Sequence, residues 1–93
     1  MQPAVDLVQL VKEGAVILDV RSKGEYAGGH IRNSINIPVD QLEKNLDRFK
    51  DKNQVIITCC ASGMRSGSAK GILQSKGYNH VYNGGGWSSL EYK

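Results

Sequence analysis

The chain of 93 residues is poor in cysteine and in long hydrophobic runs. Its only two cysteines, Cys59 and Cys60, are neighbours, so they cannot cross-link distant parts of the chain as a disulfide scaffold does. The apolar runs are far shorter than the ~20 residues of a membrane-spanning helix. No basic start followed by an apolar stretch of the secretory type is present. We therefore expect a globular protein with free thiols in a reducing compartment, the cytoplasm.

The sequence also has little excess of positive over negative charge. The net charge is +3, and 12 Lys and Arg residues are scattered among 9 acidic ones, so the sequence has no basic stripe of the kind that binds nucleic acid. A mild positive charge suits small anionic substrates instead. The two histidines, His30 and His80, form no recognisable metal-ligand spacing with the cysteines. We therefore expect no nucleic-acid, membrane or metal partner.

Apolar patterning predicts short strands that alternate with helices. Strands are expected at 15–18, 34–37, 55–59 and 80–82. Helices are expected from Pro3 to Gly14, from Ser22 to Gly28, over 41–50, over 66–76 and over 87–92, with a turn at 83–86. Because such alternation builds a mostly parallel sheet with helices on both faces, we predict one three-layer α/β domain over residues 1–93.

One segment carries residues suited to chemistry. Cys60 follows a predicted buried strand, and the residues after it, 61–66, lead into a predicted helix. Ligands of parallel sheets bind beyond the carboxyl ends of the strands. Backbone N–H groups of this loop and the positive end of the helix would surround the sulfur and stabilise the thiolate, the nucleophilic form. Gly63 suits a position that needs a positive φ or a close approach. The sequence therefore predicts a reactive cysteine in an anion-binding loop.

Three segments, in order, carry a family resemblance. They are 18–21 (LDVR) with 25–26 (EY), 29–31 (GHI) and 36–38 (NIP); then 60–66 (CASGMRS); and finally 77–78 (GY) with 81–87 (VYNGGGW). The first resembles a signature of the single-domain rhodaneses, which are thiosulfate-type sulfurtransferases, the second their active-site loop, and the third their C-terminal segment. The resemblance covers nearly the whole chain and implies a rhodanese-like fold.

The resemblance also implies a persulfide mechanism. Cys60 would attack the outer sulfur of thiosulfate or a similar small anionic donor, and cyanide, a thiol or a partner protein in a sulfur relay would then accept that sulfur. Arg65 is implied as the second catalytic residue. Donor binding is expected from the other residues of the loop, namely Ala61, Ser62, Gly63, Met64 and Ser66. No cofactor is implied, because the cysteine itself carries the sulfur.

Two of these residues have competing interpretations. Arg65 has the alternative of an ion pair with an acidic residue such as Asp19 or Glu25. Cys59 stands where an aromatic residue is common in the family. Because strand neighbours point to opposite faces, we expect Cys59 to face away from Cys60 as a core residue.

Other functions compete with sulfur transfer. Cysteine-dependent phosphatases and arsenate reductases are enzymatic rivals, but phosphatases place five residues between their cysteine and arginine, whereas four lie between Cys60 and Arg65. A loop that is one residue shorter suits a sulfur atom better than a tetrahedral phosphate. A regulatory binding module is the second rival, although family members without catalysis typically lack the cysteine. A sulfur relay shares the Cys60 persulfide and differs in its donor.

Overall fold

The computed structural model describes residues 6–90 as an α/β protein. Its strands are β1 Val16–Asp19, β2 Ile35–Asn36, β3 Ile56–Cys60 and β4 Val81–Gly86. Its helices are α1 Leu7–Lys12, α2 Lys23–Ala27, α3 Met64–Ser75 and α4 Trp87–Leu90, with a 3-10 helix at Val39–Arg48. The strands form one parallel sheet in the order β2-β1-β3-β4. Within residues 6–90, no helix is long and apolar enough to cross a bilayer.

Alternate residues of β3 supply two apolar cores, one on each face of the sheet. Ile56 and Cys60 belong to the first core and Ile57 and Cys59 to the second. The first core also takes residues from the 3-10 helix and α3, among them Leu42, Ala69 and Leu73. The second includes residues of α1 and α4, among them Leu10, Val11, Trp87 and Leu90. The predicted three-layer arrangement is thereby confirmed.

Helix α2 begins as its sequence predicts. The Ser22 side chain accepts a hydrogen bond from the Glu25 backbone N–H at 3.2 Å. The Glu25 carboxylate accepts in turn from the Ser22 backbone N–H at 3.1 Å. This reciprocal capping box satisfies two N–H groups that the helix leaves unpaired. It also fixes the Glu25 side chain at the start of α2.

The helix predicted over 41–50 is present, but its type and its bounds differ from those of a regular α-helix. The segment forms a 3-10 helix from Val39 to Arg48, and Asn45 inside it has non-helical angles of φ −123° and ψ 22°. The Asn45 side chain donates to the Gln41 carbonyl at 2.8 Å, so it competes for a helical backbone acceptor. The apolar spacing that predicted a helix still serves the core, because Leu42 and Phe49 are buried.

The predicted turn at 83–86 is wrong, because β4 continues to Gly86. Glycine is ordinarily rare in strands, but here a side chain would obstruct the sheet. A Cβ at Gly84 would lie 2.6 Å from Leu90 Cδ1 and 2.9 Å from the Thr58 carbonyl oxygen. The glycines therefore let β4 approach β3 closely.

One predicted helix begins elsewhere in the structure, and the ends of two others lie outside the described residues. Helix α3 starts at Met64, two residues before the predicted start at Ser66. Its N-cap is Gly63, whose φ of 107° is a left-handed conformation that glycine adopts without strain. The predicted helix start at Pro3 and the predicted end at Tyr92 lie outside the described residues.

Candidate active site

The sulfur of Cys60 occupies the N-terminus of α3. Cys60 is the last residue of β3, and three residues separate it from the first residue of the helix. Its Sγ accepts a hydrogen bond from the Gly63 N–H at 3.0 Å and from the Ser66 N–H at 3.4 Å. A carboxylate or hydroxyl at an N-cap binds the same free N–H groups. The sulfur therefore sits where the helix favours negative charge.

Ser66 completes the surroundings of the sulfur. Its hydroxyl oxygen lies 3.5 Å from Cys60 Sγ, and the residue is fully buried. Its carbonyl oxygen accepts a hydrogen bond from the Thr58 hydroxyl at 2.8 Å. Because Thr58 lies on β3, two residues before Cys60, this bond ties the first turn of α3 to the strand that carries the cysteine.

The ionisation of Cys60 depends on these contacts. Burial by itself raises the pKa of the thiol, because it disfavours the charged form. Hydrogen bonds from the Ser66 hydroxyl and from backbone N–H groups of Ser66, Gly63 and Ser62 act in the opposite direction and outweigh burial. The pKa of Cys60 is lowered from 9.0 to about 7 as a result. This lower pKa favours the thiolate at neutral pH, compared with an ordinary cysteine.

The loop conformation depends on close contact with β4. A Cβ at Gly63 would lie 3.4 Å from the Cα of Gly85, and a Cβ at Gly86 would lie 3.0 Å from the Ala61 carbonyl oxygen. Strand β3 also shifts register against β4 between Thr58 and Cys60. The glycine-rich end of β4 therefore packs directly against the cysteine loop.

Arg65 forms an ion pair with Glu25. Its two terminal guanidinium nitrogens donate to the two carboxylate oxygens of Glu25 at 2.7 and 3.0 Å, and each side chain is 38% exposed. The guanidinium lowers the pKa of Glu25 to about 2, with the capping bonds from Ser22 adding to the effect. The carboxylate, in turn, raises the pKa of Arg65. In this structure, α2 and α3 are thus joined by a charged bridge at the edge of the site.

The remaining loop residues form its outer surface. Ala61 and Ser62 are exposed, and Met64 is 81% exposed. Cys60 itself has a relative exposure of 0%. The structure thus brings Gly63 and Ser66 against the sulfur and leaves the side chains of Ala61, Ser62 and Met64 toward solvent.

Cys59 occupies a different environment from its neighbour. It belongs to the core on the opposite face of the sheet, so the prediction that the two thiols face apart is confirmed. Burial, and the nearby Asp19 carboxylate, raise the pKa of Cys59 to about 12. Its thiol is therefore uncharged at neutral pH and unsuited to nucleophilic attack.

A buried ion pair supports the end of β1. Arg21 donates to the carboxylate of Asp19 at 2.7 Å and to the Gly29 carbonyl at 2.7 Å, and its guanidinium lies 4.6 Å from the centre of the Trp87 ring. All of these contacts are internal, so the pair stabilises the structure at the carboxyl end of β1. Among residues 6–90, no cluster of three His, Cys, Asp or Glu side chains is placed to hold a metal ion.

Sequence reasoning missed one residue of the site. Asn83 lies on β4, and its side chain contacts Ser66 and Gly63. It stands in the run Asn83-Gly84-Gly85-Gly86, whose composition is typical of a turn. Only the pairing of β4 with β3 brings it to the cysteine loop, and the sequence pattern carries no signal of that pairing.

These features define a parallel α/β domain with a cysteine sulfur held at a helix N-terminus beyond the sheet. The chain belongs to the rhodanese-like family, since the family model described as Rhodanese-like domain matches residues 3–92. It is 39% identical over 74 residues to the thiosulfate sulfurtransferase PspE of Escherichia coli, covering 78% of this chain and 71% of that protein.

Solved structures agree with this assignment. A rhodanese with anions from E. coli superposes with a TM-score of 0.79 at 34% identity, covering 86% of this chain and 95% of that one. The human single-domain sulfurtransferase TSTD1 superposes with a TM-score of 0.80 at 30% identity, covering 92% of each chain. The predicted fold and family are therefore both confirmed.

Proposed function

We propose that this protein is a sulfurtransferase that carries sulfane sulfur as a persulfide on Cys60. The observation that supports this most directly is the position of Cys60 Sγ, which accepts hydrogen bonds from two backbone N–H groups at the N-terminus of α3. These contacts lower the pKa of the thiol to about 7 despite its burial. A nucleophile of this kind is available at neutral pH without a separate general base.

The first half of the reaction loads the cysteine. The Cys60 thiolate attacks the outer sulfur of thiosulfate, so a new sulfur–sulfur bond forms at Cys60 and the sulfur–sulfur bond of thiosulfate breaks. Sulfite leaves with the electron pair of the broken bond. The terminal sulfur of the persulfide then replaces the thiolate as the negative centre. The N–H groups that stabilise the thiolate are also suited to stabilise the negative charge of this terminal sulfur.

The loop residues have distinct roles in this scheme. Gly63 and Ser66 bind the reacting sulfur directly, as their N–H groups do in the free protein. Ala61, Ser62 and Met64 form the outer surface over which the donor approaches. Because Cys60 is fully covered, the donor reaches it only when this outer part of the loop moves. Backbone N–H groups of the loop then donate hydrogen bonds to the sulfonate oxygens of the donor.

Arg65 is the proposed cationic partner of the donor. Its guanidinium suits bidentate binding of a sulfonate, as it does the carboxylate of Glu25. A bound donor therefore competes with Glu25 for the same nitrogens. Replacement of the Glu25 carboxylate by the sulfonate costs little free energy, because exposed ion pairs contribute only about 0–1 kcal/mol to stability.

The second half of the reaction unloads the cysteine. Cyanide, a small thiol or a partner protein attacks the outer sulfur of the persulfide, and Cys60 leaves as the thiolate. No cofactor takes part.

We propose that residues 1–93 act as one catalytic unit, and the two free cysteines favour the cytoplasm as its location. The exposed Met64 beside the site also suits contact with a partner protein, which a sulfur relay requires.

Matched cysteine variants test the proposal. Cys60→Ser should abolish release of thiocyanate from thiosulfate and cyanide, because serine cannot form the persulfide. Cys59→Ser should keep most of the turnover while it lowers the melting temperature, because it buries a hydroxyl in the second core. Equal loss of turnover in both variants, measured on folded protein, would contradict the assignment of the nucleophile.

A further inference from the structure

Asn83 connects β4 to the cysteine loop and has no place in the mechanism above. Its side-chain oxygen accepts from the Gly85 backbone N–H at 2.9 Å. Because an N–H can only donate, this contact identifies the atom as the carbonyl oxygen of the amide. The amide nitrogen then donates to the Gly63 carbonyl at 3.3 Å. A Cβ at Gly67 would lie 3.3 Å from the same nitrogen, so the amide rests against the first turns of α3.

The hydroxyl of Ser66 has one hydrogen and several neighbours. The Asn83 carbonyl oxygen lies 2.6 Å from Ser66 Oγ, the Gly63 carbonyl oxygen 3.0 Å and Cys60 Sγ 3.5 Å. The Asn83 oxygen only accepts, and the 2.6 Å contact is the shortest, so the Ser66 hydrogen points to it. The lone pairs of Ser66 Oγ then accept the hydrogen of the Cys60 thiol.

Ionisation of Cys60 reverses this arrangement. A thiolate has no hydrogen and only accepts, so the Ser66 hydrogen must turn from Asn83 to the sulfur in order to stabilise it. The Asn83 carbonyl oxygen is not left unpaired, because the Gly85 N–H still donates to it. The sulfur therefore competes for one hydrogen with the Gly63 carbonyl oxygen at 3.0 Å and with the Asn83 oxygen at 2.6 Å, which is the nearest acceptor.

We propose that Asn83 is a positioning residue that acts through Ser66: it holds the Ser66 hydrogen while Cys60 is a thiol and releases it when the thiolate forms. Asn83 thereby sets how readily Cys60 ionises. The inference deepens the proposed function, because it assumes that Cys60 is the reacting group.

Other ionisable groups around Cys60 stay unchanged in the test. Arg65, paired with Glu25 of α2, interacts electrostatically with Cys60, and so does Cys59 on β3. Asp19 of β1 interacts with Arg65 and Cys59. Tyr82 is the one titratable residue of β4, and it packs against the second core, on the face away from Cys60. Exchanging Asn83 therefore alters the competition for the Ser66 hydrogen and leaves these groups in place.

The test follows alkylation of Cys60 by iodoacetamide as a function of pH. Fragment masses of the labelled peptide separate Cys60 from Cys59. Asn83→Ala should raise the alkylation rate at pH 6 about three- to tenfold, since the Ser66 hydroxyl loses its nearest acceptor and donates more readily to the thiolate. Asn83→Asp should lower the rate at this pH, because a carboxylate holds the Ser66 hydrogen more firmly and adds negative charge. Thermal unfolding checks that each variant is folded.

The decisive comparison is with Ser66→Ala. In that background, Asn83→Ala should leave the alkylation rate unchanged, because no hydroxyl remains for Asn83 to orient. An effect of the same size in both backgrounds, or none in either, would overturn the inference. Alkylation does not require a sulfur donor, so these outcomes are independent of whether the unmodified protein forms a persulfide with thiosulfate, which tests the proposed function.

Discussion

The guanidinium of Arg65 and the carboxylate of Glu25 form a two-point ion pair, with N–O distances of 2.7 and 3.0 Å, between residues 40 positions apart in sequence. The Glu25 carboxylate also closes the capping box of α2, through its contacts with Ser22, the N-cap residue. One side chain thus joins the start of α2 to the residue proposed to bind the anionic end of the donor. This double role makes the pair the first target for mutation.

Replacement of Arg65 should separate catalysis from stability. We expect Arg65→Ala to lower kcat/KM for thiosulfate about tenfold, because a charge-assisted hydrogen bond to the donor is lost. The melting temperature should change little, since the ion pair is exposed. Arg48→Ala is the matched control, because it removes an exposed arginine outside the loop. Equal kcat/KM in the two variants would remove Arg65 from the site.

Replacement of Glu25 should act in the opposite direction. Glu25→Gln keeps a side chain that completes the capping box but removes the charge that competes for Arg65. We expect a lower KM for thiosulfate with nearly the same kcat, measured as initial rates of thiocyanate formation. Ser22→Ala weakens the cap and leaves the carboxylate, so it should not lower KM. An increase in KM with Glu25→Gln would show that the carboxylate positions Arg65 and does not compete with the donor.

The reactivity of Cys60 should follow its ionisation. With a pKa of about 7 for Cys60 and about 12 for Cys59, alkylation at Cys60 should rise about tenfold per pH unit below neutrality and level off above it. The sign follows from the thiolate being the nucleophile. Rates of iodoacetamide modification between pH 5 and 9 provide the measurement. A midpoint near the unshifted thiol value of 9.0 would show that the loop does not stabilise the thiolate.

Two glycines offer a matched test of the packing. Gly84→Ala should destabilise the fold by about 1–3 kcal/mol, because the new methyl group would overlap Leu90, Ile57 and the Thr58 carbonyl. Gly71→Ala, within α3, meets nothing within 4 Å and should stabilise the protein by about 0.5–1 kcal/mol. Urea unfolding of both variants measures the difference. Similar stabilities would contradict the close approach of β4 to β3.

The sequence was sufficient to predict those features that depend on local pattern. Neighbouring residues are enough to predict three features. These are the position of Cys60 at a strand end, the capping box of Ser22 and Glu25, and the orientation of Cys59 toward the other face of the sheet. Asn83 was missed because a glycine-rich run is typical of a turn, whereas the close packing of β4 on β3 makes it a strand. The 3-10 helix was mistaken for an α-helix because its buried residues, Leu42 and Phe49, keep a helical spacing that does not reveal the interruption at Asn45.

The sequence offers two acidic residues as partners of Arg65 in an ion pair, but it does not decide between them. In the structure, Glu25 forms the ion pair with Arg65, whereas Asp19 forms an ion pair with Arg21. That choice depends on the direction in which each carboxylate leaves its strand or helix, which is a property of the assembled sheet.

If Cys60 carries sulfur, the intact-protein mass should increase after exposure to thiosulfate under non-reducing conditions. We expect one added sulfur atom, located on Cys60 by fragmentation of the peptide that contains both cysteines, and its release as thiocyanate on addition of cyanide. Cys60→Ser should gain no sulfur in the same experiment. An unchanged mass of the folded, reduced protein after thiosulfate treatment, or sulfur found on Cys59, would contradict this account.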